Sequence, residues 1–423
     1  MRLLHTSDWH LGQELKGVDR AAEHERVLER IIEICAARNV DLLLIAGDVY
    51  HAANPATRSQ KLFYATLARL AAETPGLRIA AIAGNHDSPA RLELPMSLPL
   101  DFARAPDGEP SVSLIGSIRR DGGRLDLSAC LRPIRLASGE IGAVVALIPY
   151  LRPGDLDQDQ DAAALFRAAA DAARAAAERC GAPDAPLILS AHLHAAGGDL
   201  SPDSERPILI GGEEAVPLAA FPTDFAYVAL GHLHRPQTLR SGASVVRYAG
   251  SVIPLSAAER PYAHGVTLVE VGGGAPSIEE IPLPRPRRFD RLPETGAAPP
   301  DVLERMAADY AERLRETAID PALEPFLDLH VSLETAEPAL RARFEAALGD
   351  APARLIGVRP HYPQTSDAPR TELIDLSALS PTQTFERLHA AEFGAPPPED
   401  LRRAFDDLIA ADGLEPETHE ADA

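Results

Sequence analysis

Gly84-Asn85-His86-Asp87 follows directly on Arg78-Ile79-Ala80-Ala81-Ile82-Ala83, an apolar run of strand length with no helical period. A strand therefore empties into a turn of Gly and Asn, then into a His and an Asp. The arrangement recurs three times. Leu3-Leu4 leads into Asp8-Trp9-His10, Asp41–Ala46 into Gly47-Asp48, and Tyr227–Leu230 into Gly231-His232-Leu233-His234. In open α/β folds the site lies beyond the carboxyl ends of the strands, so four such exits are expected to converge. Asp, His and Asn gathered without cysteine suit hard or borderline divalent cations. The pattern predicts a two-metal hydrolytic centre.

Taken singly, each motif is weak. Asp8-x-His10 points both side chains to one side, which suits a metal, yet it reads equally well as a surface loop. Gly47 lets the backbone come close at a strand end, and Asp48 can bridge two cations with its two oxygens. Gly-Asp is also a common turn pair. His51 reaches toward the same centre from the loop. The strand Pro186–Ala191 ends in His192-Leu193-His194, where His192 leaves the strand like the other candidates and His194 is the lesser one. His232 and His234, two apart on an extended stretch, share a face and can serve neighbouring metals.

Between these exits, helices are expected at 20–38, 56–73 and 161–180. The first turns Val27, Leu28, Ile31, Ile32 and Cys35 inward and leaves Glu25, Glu29 and Glu33 solvated, with His24 expected on the surface. Turns are expected at Asp107-Gly108, Asp121-Gly122-Gly123 and Gly211-Gly212. The order βαβα implies a largely parallel or mixed sheet covered by helices.

The 423 residues suggest two or three domains. The net charge is −22, unusual for a protein that handles nucleic acid. The acidity is uneven. Residues 1–100 hold 11 Lys/Arg and 12 Asp/Glu, whereas Asp400 to the end holds 8 acidic and 2 basic residues. Cys35, Cys130 and Cys180 are far apart with no CxxC, which argues against a disulfide framework and a thiolate metal site. The N-terminus turns polar too early for a signal peptide, and no run is long enough to span a membrane. A cytoplasmic protein is expected.

In order and spacing, Asp8-x-His10, Gly47-Asp48, Gly84-Asn85-His86-Asp87, His192 and Gly231-His232-x-His234 resemble the calcineurin-like metallophosphoesterases. Leu4–Gly12, Val228–Gln237 and Gly250–Leu255 look like one branch in particular, the bacterial DNA double-strand-break repair nucleases that work with an ATPase bearing a coiled coil. The resemblance covers about 1–290 well and the remainder more loosely. It implies an α/β (α+β) fold: a four-layer sandwich of two mixed β-sheets flanked by helices, with a small α/β capping domain and a C-terminal helical partner-binding segment. It also implies that Asp8, His10 and His234 hold one metal, Asn85, His192 and His232 the other, and that Asp48 bridges them. His86 would protonate the leaving oxygen or position the phosphate, Asp87 would support its imidazole, and His51 would stabilise the transition state.

Imidazole ligands favour two Mn(II) ions, although residue types leave softer cations open. The implied activity is Mn-dependent 3'-5' exonuclease on double-stranded DNA ends and endonuclease on single strands, in a homodimer within a heterotetramer. The chain carries no G-x-x-x-x-G-K-[ST] motif, so ATP hydrolysis would fall to the partner. The same core acting on small phosphoesters is the alternative.

The implied division is 1–280 for the nuclease domain, 285–360 for a DNA-contacting capping domain and 365–423 for a helix-loop-helix that grips the coiled coil. The proline-dense stretch Pro282–Arg288 marks the first boundary. Beyond it a helix is expected around 300–317, a strand at 326–333, a helix at 336–348 and a strand near 353–360. Pro360–Pro369 reads as a linker. Residues 380–411 show two short amphipathic helices, marginal unless docked, and Asp412–Ala423 is expected to be disordered.

Overall fold

The central strands owe their positions to apolar runs with no polar face. Leu42–Ile45 and Arg78–Ile82 are buried throughout, as strands covered on both sides must be. A computed structural model describes residues 1–97, 111–152, 154–156, 161–201, 215–241, 244–272, 274–335, 337–362, 381–393 and 396–411. Two compact units emerge, Met1–His361 and Tyr362–Ala423.

Two six-stranded sheets dominate the first unit. In one, Arg2–Thr6 lies between Leu42–Ile45, which is parallel to it, and Gly265–Glu270, which is antiparallel. Arg78–Ile82 and Val112–Ile115 extend the parallel side, and Ser277–Pro282 forms the opposite edge. In the other, Ile141–Ile148, Leu187–His192, Phe225–Gly231 and Ser244–Tyr248 run parallel, edged by antiparallel Leu131–Arg135 and Gln237–Ser241. Leu3, Leu44, Ile82, Val145, Ile188 and Tyr227 pack between the sheets. Helices Ala21–Ala37 and Thr57–Glu73 cover the first sheet through Val27, Ile31, Phe63 and Leu67, and the Ala-rich helix Ala162–Arg179 covers the second. Each fully buried aliphatic side chain of this kind contributes about 1.5–3 kcal/mol. The result is the expected helix–sheet–sheet–helix layering.

After Ser277–Pro282 the chain forms a parallel three-stranded sheet in the order Phe289–Leu292, Phe326–Ser332, Arg354–His361, backed by helices Pro300–Arg315 and Leu340–Leu348 around their own core. Two differences from the sequence reading occur here. A strand at Phe289–Leu292 precedes the first helix, giving βαβαβ. Pro360 also continues the last strand to His361 and does not begin a linker.

A third difference concerns His24, which is completely buried, not on the surface. It belongs to a charged core that hydropathy assigns to solvent. Fully buried Arg20 and Glu23 pair, and Arg287 Nε donates to Glu23 Oε1 at 2.8 Å. Arg287 also donates to the Ala322 carbonyl at 2.7 Å and sits 4.5 Å from the Phe326 ring centre. This triad fastens the small sheet to the sandwich.

In the second unit, helices Pro381–Phe393 and Glu399–Ala411 stack Phe385 on Phe405 with ring centres 4.1 Å apart, while Leu388, Leu401 and Leu408 stand exposed. The expected turns at Asp107-Gly108 and Gly211-Gly212 and the acidic end Asp412–Ala423 lie outside the described residues.

Candidate metal centre

Each strand exit is pinned to its neighbour by backbone bonds continuing the sheet past its last residue. Asp8 N donates to Gly47 O at 3.1 Å and His10 N to Asp48 O at 3.0 Å. Asp8, His10, Asp48 and His232 all have positive φ, between 46° and 106°. Non-glycine residues rarely sit there, and the cost of about 1–3 kcal/mol each is characteristic of functional sites. Glycines make the close approach possible. A Cβ on Gly84 would lie 2.1 Å from Asp48 Oδ1, and one on Gly231 would lie 1.9 Å from the Ala46 carbonyl oxygen.

The exits converge. Ligand atoms of Asp8, His10 and His234 lie within 4.8 Å of one another, as do those of Asp8, Asp48 and His192 and those of His10, His51 and His86. Asp48 Oδ2 is 3.5 Å from His10 Nε2 and 3.5 Å from His192 Nε2. Its Oδ1 instead accepts the His86 backbone N–H at 2.9 Å. One oxygen thus faces both halves of the site, where the sequence alone suggests one oxygen for each. His232 completes the second half, its ring centre 5.5 Å from that of His192 and its backbone N–H donating to Asp8 Oδ1 at 3.1 Å. His194 stands apart from the three trios, with Nε2 3.4 Å from the Gly198 carbonyl oxygen.

The donor set fits divalent cations. His192 Nδ1–H donates to the Ala46 carbonyl at 2.9 Å, which leaves Nε2 facing two oxygen acceptors, Asn85 Oδ1 at 3.0 Å and Asp48 Oδ2. Such a position calls for a positive charge, either a proton on Nε2 or a cation in its place. Among the described residues, His10 Nε2 and His232 Nε2 are buried without a hydrogen-bond partner, an arrangement that is costly unless they bind something. Electrostatics point the same way. Burial, then the His192 charge, pushes His232 down to about 3, and burial raises Asp8 to about 6. Burial also opposes charge on His192, but the Asp48 and Asp8 carboxylates override it and raise it to about 9. His232 is thereby kept neutral with a lone pair to offer, while positive charge is drawn to the Asp48–His192 pair.

Asp87 requires a correction. Its carboxylate does not reach the His86 imidazole. It accepts the backbone N–H of Gly84 at 2.9 Å, Val49 at 3.1 Å and Tyr50 at 2.9 Å, locking two exits together. The His86 ring is held through Nδ1, 2.9 Å from the His51 carbonyl oxygen, and stacks on the His51 ring with centres 5.6 Å apart. Sequence reading also misses Glu259, whose carboxylate accepts His234 Nδ1–H at 2.8 Å. A lone Glu in a Ser-Ala-Ala-Glu turn carries no periodic or spacing signal.

The family model for calcineurin-like phosphoesterase matches residues 1–236, and that for the type 5 capsule protein repressor C-terminal domain matches residues 286–393. The SbcD subunit of the nuclease SbcCD of Rhodobacter capsulatus is 42% identical over 405 residues, covering 93% of this chain and 94% of that one. The SbcD subunit of Escherichia coli K12 is 30% identical over 417 residues, with 93% of each chain covered. That of Bacillus subtilis is 37% identical over 281 residues, covering 65% of this chain and 67% of that one. With a phosphoesterase match over more than half its length and relatives aligned over nearly all of it, the chain belongs to the calcineurin-like phosphoesterase family, in the branch of the SbcD subunits of the nuclease SbcCD.

Proposed function

We propose that the chain is a two-metal phosphodiester hydrolase, the nuclease subunit that acts with an SbcC-type ATPase in processing DNA ends. The observation that carries this reading is Asp48 Oδ2, equidistant from one histidine of each half-site. Asp8, His10 and His234 would hold one ion, Asn85, His192 and His232 the other, with Asp48 between them. A pair of divalent cations, when bound, supplies Lewis acidity to the phosphodiester and to the attacking water. Two carboxylates leave such a centre net positive, which accounts for an acidic chain acting on a polyanion.

The protein's own residues do the remaining work. His86 is oriented by the His51 carbonyl at Nδ1 and belongs to the His10–His51–His86 trio of the centre. Its other ring nitrogen, Nε2, is the atom that passes a proton to the leaving oxygen. His51, stacked beside it, adds a second donor toward the developing phosphate charge. Asp87 keeps the Gly84 and Val49-Tyr50 backbones in register, which makes it a positioning residue.

The finer assignments rest on the family and on surfaces. Mn(II) is the activator, with 3'-5' exonuclease action on double strands and endonuclease action on single strands, in a homodimer. The sheet domain of Phe289–His361 contacts DNA. The exposed Leu388, Leu401 and Leu408 of the helical pair dock on the ATPase coiled coil. Free cysteines suit the cytoplasm, and among the described residues no helix is long and apolar enough to cross a membrane.

The test is His86→Asn, assayed on linear duplex and single-stranded DNA with Mn2+, with and without the ATPase. The variant is expected to fold and bind Mn2+ but to lose cleavage. Normal cleavage would refute the assignment.

A further inference from the structure

Glu259 lies at the end of the short turn Ala257–Glu259 and is completely buried. A buried carboxylate needs several donors or a charge partner. One oxygen, Oε1, accepts His234 Nδ1–H at 2.8 Å, and the other, Oε2, accepts the Leu255 backbone N–H at 2.8 Å. The loop that carries these groups cannot drift. Gln13 Nε2 donates to the Leu255 carbonyl at 3.1 Å, and Arg20, itself clamped by Glu23, donates to the Pro254 carbonyl at 2.5 Å.

With Nδ1–H committed to a carboxylate, His234 presents the lone pair of Nε2 toward Asp8 and His10, with which it forms one of the site's trios. The other half of the site is built differently. There His192 Nδ1–H is committed to the neutral Ala46 carbonyl. A carboxylate behind an imidazole fixes its tautomer and ring angle and raises its basicity more than a carbonyl does.

We propose that Glu259 is a positioning residue for His234, and that it makes the Asp8–His10–His234 half-site the more strongly binding of two unequal metal sites. This rests on the reading of that trio as the ligands of one ion, and the experiment separates the two ideas. Full-length native chain, E259A and E259Q are titrated with Mn2+ alone by calorimetry, with thermal melts alongside. The native chain is expected to bind two ions in distinguishable steps. E259A should weaken the tighter step about 10–100-fold and leave the weaker one unchanged, while E259Q, whose amide oxygen can still accept from His234, should lose less.

Both steps unchanged in E259A, or both weakened alike at a native melting temperature, would overturn the role of Glu259. If E259A does not melt cooperatively, E259Q decides: a loss confined to the tighter step supports the role, and no loss overturns it. A native chain that takes up no Mn2+ overturns the metal-centre reading itself and the positioning role with it.

Discussion

Gly84→Ala should disable the centre while leaving the fold standing. Gly84 does not need positive φ, so the effect is purely one of space. Its new methyl carbon would sit 2.1 Å from Asp48 Oδ1, 2.4 Å from Asp48 N and 2.7 Å from Asp48 Cγ. A relaxed contact is about 3.5 Å, so roughly 1 Å must be opened between two strand ends. The Asp48 side chain cannot simply rotate away, because its backbone nitrogen is also too close and Oδ1 holds the His86 N–H. Nor can the Gly84 loop retreat freely, since Asp87 ties it to Val49 and Tyr50. Overpacking of this kind costs about 1–3 kcal/mol of stability, which a sandwich this large survives. A misplacement of about 1 Å at the reacting centre costs on the order of 10²-fold in rate, or about 2.7 kcal/mol in the barrier. The assay is hydrolysis of bis-p-nitrophenyl phosphate with Mn2+, alongside a thermal melt and Mn2+ titration. A folded G84A with native turnover and native Mn2+ binding would refute Asp48 as the pivot.

Two further predictions concern the charged core. Glu23→Ala leaves Arg20 and Arg287 buried without their shared carboxylate and should cost about 3–5 kcal/mol in urea denaturation. Arg26→Ala, which breaks the exposed pair with Asp320 and leaves the Asp320 cap on Ala322 in place, should cost about 0–1 kcal/mol; equal losses would contradict the triad as the fastening of the small sheet. His24, lowered to about 4 by burial and then by the Arg20 charge, makes stability depend on pH. Its folded pKa lies below the unfolded value of about 6.5, so the unfolded chain takes up the proton first as pH falls. The contribution is intact above about pH 6.5 and declines by about 1.4 kcal/mol per unit until about pH 4. Urea melts of native chain and His24→Gln at about pH 7.5 and about pH 5.5, on either side of that unfolded value, should differ in pH slope, with the native the steeper; equal slopes would exclude the effect.

The sandwich core and the candidate ligands were legible for one reason. Strands such as Leu42–Ile45 and Ala143–Ile148 are buried on both faces, so they read as unbroken apolar runs, and the polar residues at their ends stand out. What escaped depends on partners distant in sequence. Phe289–Leu292 follows a proline cluster and becomes a strand only by pairing with Phe326–Leu329. Arg20, Glu23, His24 and Arg287 look solvated by residue type, and tertiary pairing reverses that. Asp87 adjoins His86 in sequence, yet its carboxylate turns to backbone amides of another loop. Residue types also cannot reveal that one Asp48 oxygen is already occupied by a backbone N–H.

The central claim is that a pair of cations sits on either side of Asp48, and anomalous scattering from crystals soaked in Mn2+ tests it most directly. Two peaks about 3.5–4 Å apart are predicted, one beside Asp8, His10 and His234 and the other beside Asn85, His192 and His232. A single peak, or ions bound away from Asp48, would contradict it.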